Sequence, residues 1–164
     1  MPGLVWEEVK DIFDPNLMGA LPDVFVPDAS VADWQALFHL VQARNWQWRY
    51  SEGSMDLPLP SAAAVLARPA DCEIAELRVW PQPGVLAIFR IMSADEIDFD
   101  VDLRELQGQL GVDALCSLLA EIGRELGKPV MMTAEGGSQA HPVLGFDPAL
   151  DRVVALVDPS LAWP

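Results

Sequence analysis

The chain is poor in lysine, histidine, tyrosine and cysteine. Of its 164 residues two are lysine (Lys10, Lys128), two histidine, one tyrosine and two cysteine. Ten basic side chains face 25 acidic ones, a formal net charge of −15. Such a surface repels phosphate backbones and anionic lipid headgroups, because affinity for either comes largely from lysine and arginine displacing counterions. Nucleic acid and membrane are therefore excluded as expected partners, while a basic protein is favoured. Two cysteines, Cys72 and Cys116, with no C-x-x-C between them give neither a disulfide framework nor a zinc ribbon. No run approaches the roughly 18 apolar residues of a membrane span. The opening Met1-Pro2-Gly3-Leu4-Val5-Trp6-Glu7-Glu8 lacks a basic n-region and an apolar core, so no signal peptide is expected. A soluble cytoplasmic protein without cofactor or metal is the expectation.

Apolar residues are plentiful, at 51% of the chain, which suffices for a core without staples. No linker-like stretch or shift in composition divides it, so residues 1–164 read as a single α+β domain. Residues 4–13 predict a short N-terminal amphipathic helix, and 14–28 an irregular stretch whose one strand candidate is Val24-Phe25-Val26. Two principal helices follow from 3.6-residue periodicity, at about 31–43 and 112–126. The first starts at a Ser30/Asp33 capping pattern and carries Val31, Trp34, Leu37, Phe38 and Val41 on one stripe. The second turns Val112, Leu115, Cys116, Leu119, Ile122 and Leu126 inward and stops at Gly127 and Pro129.

Period-two alternation marks the strands. Trp46–Tyr50 and Met55–Leu59 predict a hairpin, with Pro58 placing the second strand at an edge. Ser61–Leu66 predicts a helical turn, and Ile74–Trp80 and Val85–Met92 a second hairpin around Pro81-Gln82-Pro83-Gly84. Glu96–Leu103 alternates throughout, and short strands at 130–134, 143–146 and 152–157 close the chain. The expected fold is a two-layer α+β domain: a mainly antiparallel sheet with both principal helices on one face and the N-terminal helix at an end. Helix, strand, Glu-Gly turn, strand occurs twice (31–59 and 112–146), which fits an internal duplication as well as two independent helix–hairpin units.

The strongest concentration of chemistry is at 95–105. Asp95, Glu96, Asp98, Asp100, Asp102 and Glu105 stand against Arg104 alone, a third of the chain's charge excess in eleven residues. On a strand, Asp98, Asp100 and Asp102 project from one face as a like-charge ladder, which costs stability unless a cation meets it. The ladder reads as a solvated face or protected edge, or as a docking site for a basic partner. A calcium site is the third reading, but an extended strand spreads alternate carboxylates too widely and no glycine folds them round an ion. Trp46, Trp48 and Tyr50 share one strand face, either core or, if exposed, an aromatic binding platform.

Gly136-Gly137-Ser138-Gln139-Ala140 approaches the G-x-S-x-G nucleophile elbow, but a loop and strand follow where a helix is required, and the last glycine is missing. Glu135 and His141 bracket the same loop and form a candidate acid/base pair in an alternative reading, a small-molecule-binding protein or enzyme using residues 134–147 with nearby acids. One histidine without a second His or Cys nearby makes a poor zinc site. No residue is assigned a catalytic role.

Glu96-Ile97-Asp98-Phe99-Asp100-Val101-Asp102-Leu103-Arg104-Glu105-Leu106 through Gly127-Lys128-Pro129-Val130, and His141-Pro142-Val143-Leu144-Gly145-Phe146-Asp147, resemble segments of an uncharacterised family of hypothetical proteins from high-GC bacteria. That resemblance brings no activity and no catalytic residues. The order of elements is also similar to type III secretion chaperones, and the small acidic α+β character to immunity proteins that neutralise basic toxins. Both likenesses rest on architecture and charge. The leading expectation is a non-enzymatic, acidic partner-binding or regulatory protein.

Overall fold

A computed structural model describes residues 3–156. Five α-helices occur among them: α1 (Trp6–Val9), α2 (Pro15–Met18), α3 (Val31–Ala43), α4 (Ala62–Leu66) and α5 (Gly108–Leu126). Nine strands form one sheet: β1 (Asp23–Val26), β2 (Gln47–Glu52), β3 (Met55–Leu57), β4 (Ala75–Gln82), β5 (Val85–Arg90), β6 (Ile97–Val101), β7 (Val130–Thr133), β8 (Leu144–Asp147) and β9 (Arg152–Ala155). Their spatial order is β3-β2-β4-β5-β6-β1-β7-β8-β9, with every neighbouring pair antiparallel. The fold is α+β, as the sequence predicts.

The two principal helices dominate the core. Ser30 caps α3 by accepting from the Asp33 amide at 3.2 Å, and Lys128 reaches from beyond the end of α5 to pair with Asp33. Trp34, Leu37, Phe38 and Val41 are buried, and the Trp34 indole N–H donates to the Ser93 carbonyl at 2.8 Å. Val31, expected on that stripe, is 38% exposed at the first position of the helix. Helix α5 begins at Gly108, four residues before the predicted start, since the two glycines of its first turn weaken the apolar signal without preventing the helix. Its C-terminus is as predicted: Gly127 takes φ 65° and its amide returns to the Gly123 carbonyl. A Cβ at Gly123 would lie 2.1 Å from the Phe146 ring, so α5 packs on β8 at a distance only glycine permits.

Three expectations need adjustment. The N-terminal helix is a single α turn continued by a 3-10 turn over Lys10–Phe13, which still buries Val9, Ile12 and Phe13. The stretch 14–28 is ordered: Asp14 caps α2, and β1 lies between β6 and β7, inside the sheet rather than apart from it. The β4–β5 hairpin is longer on one side, because Pro81 and Gln82 continue β4 through a register shift while β5 stops at Arg90. Residue 157, the end of the last predicted strand, lies outside the described residues. The two helix–hairpin units both exist, and the glycine of each Glu-Gly turn is left-handed, at φ 59° for Gly53 and 70° for Gly136.

Candidate functional site

Helices cover one face of the sheet, and alternation sorts the strand residues accordingly. Val24, Val26, Leu77, Val79, Ala87, Phe89, Ile97, Phe99, Val101 and Met132 all belong to one buried cluster. Their neighbours along each strand point to the opposite, outer face, where Glu76, Arg78, Ile88, Arg90, Asp98 and Asp100 are half-buried. Register links them into rows. Arg49, Arg78, Ile88, Asp100, Asp23 and Thr133 are successive cross-strand partners on β2, β4, β5, β6, β1 and β7.

Asp98 and Asp100 do project from one face of a strand, with Ile97, Phe99 and Val101 buried behind them. Asp102 does not continue the ladder. The strand ends at Val101, and Asp102 caps a 3-10 turn over Leu103–Glu105, accepting from the Arg104 amide at 2.9 Å and pairing with the Arg104 guanidinium. That hydrogen-bonded pairing holds the Asp102 carboxyl below its usual range. Asp100 has its own cation, Arg90, at 2.5 Å.

Asp98 is therefore the least compensated member, and Asp23, which local pattern did not single out, joins it from β1. Among the described residues neither forms an ion pair. Burial raises the Asp98 carboxyl, and so do the charges of Glu96, Asp100 and Asp23, against a lowering influence of Arg90. Burial also raises Asp23, reinforced by Asp100 and Glu135 and opposed by a hydrogen bond from the Gly136 amide. The only sequence signal for Asp23 was its parity with the outer face of a strand whose place in the sheet the sequence did not reveal.

The loop between β7 and β8 meets this cluster. Glu135 packs against Gly19, whose φ of 83° and missing Cβ leave room for it, and accepts from the Leu21 amide at 2.9 Å. Gly136 N–H donates to Asp23 Oδ2 at 3.3 Å. Gln139 Nε2 then donates to Glu96 at 2.8 Å, beside the opposite end of β1. The loop is thus tied near both ends of β1, whose outer-face residue Phe25 is only 3% exposed. Glu135 is an anchor in this arrangement, and His141 is exposed. The cavities of 220 to 560 Å³ found in the structure are lined by other residues, among them Arg68 and Cys72, Cys116 and Arg124, and Met131 and Phe146.

The aromatic trio faces the core side. Tyr50 is 1% exposed and its hydroxyl donates to Glu52 at 2.7 Å, while Trp46 and Trp48 are half-buried against the core. Burial and the Glu52 carboxylate push the Tyr50 phenol up. The three do not form an exposed aromatic platform. Cys116 is half-buried, its thiol pushed up to about 12 by burial and by Asp113, and Cys72 is exposed. Among the described residues no set of three or more His, Cys, Asp or Glu side chains is arranged to hold a metal ion, and no helix is long and apolar enough to cross a membrane. In comparison with known proteins, the chain matches no family model, no curated protein and no solved structure.

These differences split the ladder experimentally. Raised carboxyls on Asp23 and Asp98 favour the fold below the unfolded value, and that advantage is lost as pH rises through the folded value. At neutral pH both charges therefore oppose folding. Asp98→Asn should raise Tm at pH 7 by about 1–2 °C, because like charges on adjacent strands are relieved. Asp102→Asn should lower it by about 2–4 °C, because a cap and a charge-assisted pair are weakened. Thermal melts followed by circular dichroism decide between this and equal behaviour along the ladder.

Proposed function

We propose that this chain is a non-enzymatic, cytoplasmic, acidic binding protein that receives a basic protein segment on the outer face of its sheet, at Asp98, Asp23 and the neighbouring Asp100. The observation that carries the reading is the pair Asp23 and Asp98: two half-buried carboxylates, each raised by burial and by neighbouring carboxylates that include Asp100, without an ion-pair partner among the described residues. A guanidinium or ammonium group arriving there relieves repulsion that the free protein carries, and the net charge of −15 speeds the encounter. Asp102, which the sequence placed on this ladder, is left out of the proposed site because it caps a turn and pairs with Arg104.

The alternative, a ligand site between the 134–147 loop and the acids, draws on the contacts of Gly136 with Asp23 and Gln139 with Glu96. Those groups satisfy each other, and the binding-protein reading is the one adopted.

A fluorescent nona-arginine peptide is a direct probe. The wild-type protein should bind it at low ionic strength and release it as salt rises, because exposed charge pairs are screened within about 10 Å at 0.1 M salt. Asp23→Asn/Asp98→Asn should weaken binding by roughly tenfold, about 1.4 kcal/mol. The charge-matched control Glu8→Gln/Asp71→Asn, at exposed positions elsewhere, should change it much less. Equal losses in the two double variants would reduce the interaction to net charge and remove the site.

A further inference from the structure

The two edges of the sheet are unlike. At one, β3 is short, carries Asp56 and runs into Pro58, which blunts it against further pairing. At the other, β9 is Arg152-Val153-Val154-Ala155, with no proline and an unbroken register on β8, and among the described residues no strand pairs with its outer edge. The Leu156 amide donates to the Val143 carbonyl at 3.0 Å. By antiparallel alternation Val154 and Arg152 also bond inward to β8, so the N–H and C=O groups of Val153 and Ala155 face outward.

Each face beside this edge holds a cavity. On the helix side a groove of about 560 Å³ is lined by Cys116, Ser117 and Ala120 of α5 together with Val153 and Ala155. On the outer face an apolar cavity of about 260 Å³ is lined by Met131, Gly145, Pro148, Val154 and Leu156. Gly145 gives it depth, since a Cβ there would lie 3.2 Å from both Met131 and Leu156. Strand addition uses such an edge: main-chain bonds hold the added strand, and its alternate side chains enter pockets on the two faces.

We propose that the added strand is the chain's own segment Leu161-Ala162-Trp163, folded back along β9 with Trp163 in the outer-face cavity. Eight residues follow Leu156, namely Val157-Asp158-Pro159-Ser160-Leu161-Ala162-Trp163-Pro164, and they lie outside the described residues. Asp158-Pro159-Ser160 has the chemistry of a type I turn, with aspartate first and proline second. With 157–160 as the connection, Leu161 stands opposite Leu156, Ala162 opposite Ala155 and Trp163 opposite Val154. Val154 is the cross-strand partner of Gly145, so Trp163 and Leu161 fall on the outer face, over the apolar cavity. Ala162 turns to the helix side, and its N–H and C=O meet the outward-facing groups of Ala155. The strand's backbone lies along the groove beside α5, where the small side chains of Cys116, Ser117 and Ala120 leave room for it. Asp158 is the one charged residue of the segment, which suits it to an apolar cavity better than to the acidic surface elsewhere. The covalent connection keeps the segment at high effective concentration beside the edge, so a short ladder suffices. The site is independent of the basic-partner reading, because β9 lies three strands from β1.

Hydrogen exchange on the full chain tests this at the Ala155 amide. That amide should be protected, and removing residues 158–164 should speed its exchange about tenfold or more, while the amides of β6 keep their rates. Trp163→Ala and Ala162→Pro leave the chain length unchanged and should each give most of the same acceleration. The first empties the cavity, and the second removes the N–H that meets the Ala155 carbonyl. Ala155 exchanging as fast in the full chain as in the shortened one overturns the proposal and leaves the edge open to another protein's strand. Protection that rises with protein concentration also overturns it, and assigns the edge to β9 of a second copy. So does a Trp163→Ala chain in which Ala155 stays as protected as in the wild type.

Discussion

Replacing Phe99 with alanine should lower the unfolding free energy by about 3–5 kcal/mol, with Tm falling by about 10 °C. Phe99 is 1% exposed at the middle of β6 and is paired with Phe89 on one side and Val24 on the other. Its ring centroid lies 4.4 Å from that of Phe89, with the planes tilted by 30°. Removing it opens a cavity in the core cluster, where neighbours anchored on three strands have little freedom to collapse. Phe99→Leu, which conserves most of the volume, should cost under about 1.5 kcal/mol. Urea titration of both variants checks the pair. A loss below 1 kcal/mol for the alanine variant would mean that alternation along 96–103 does not place Phe99 in the core.

That result also bears on how far the sequence could be read. Helix α3 was legible with its cap and α5 with its C-terminus, because 3.6-residue periodicity and capping chemistry are local. The hairpins β2–β3 and β4–β5 were legible for the same reason, down to the edge position that Pro58 implied. What was hidden is whatever depends on long-range pairing. The short segment Val24-Phe25-Val26 carries no local mark of an inner strand, yet its pairing with β6 and β7 joins the two halves of the sheet. Since Asp23 enters the carboxylate cluster through that pairing, the cluster was only half visible.

Asp102 shows the converse error. Sequence parity puts it in line with Asp98 and Asp100, but the backbone leaves the strand after Val101 and uses the carboxylate as a cap. Trp46, Trp48 and Tyr50 do share a face, and which side of the sheet that face occupies became readable only from the register of β2 with β4. The row from Arg49 to Asp23 spans five strands drawn from positions 23 to 100, so no window of sequence contains it.

Phe25→Ala should have an effect nearly as large as Phe99→Ala, and of a different kind. Phe25 points away from the helices, between Asp98 on β6 and Met131 on β7, and it is still only 3% exposed. Burying an aromatic ring on the side of a sheet without helices requires another cover, and the 134–143 loop, tied to Asp23 and Glu96 at either end of β1, is placed to supply it. Its tethers are the Glu135 carboxylate on Leu21 N–H, the Gly136 amide on Asp23, and Gln139 on Glu96. All three are hydrogen bonds to carboxylates at the surface, each worth about 1.5–3 kcal/mol at most and exposed to competition from water. An apolar contact with Phe25 is thus expected to be a major part of what keeps the loop down. Truncation to alanine should cost about 3 kcal/mol in global stability. It should also release the loop, so that hydrogen exchange at residues 134–143 speeds up well beyond the change expected from the stability loss alone. Val24→Ala, on the helix side of the same strand, provides the comparison: it lowers stability through the core but leaves the loop's contacts in place, so exchange there should follow global unfolding only. If the two variants accelerate exchange in the loop equally at matched stability, Phe25 is not what the loop rests on. If only Phe25→Ala does so, the loop is a separable flap beside Asp23 and Asp98, and its opening widens the acidic surface that a basic partner meets.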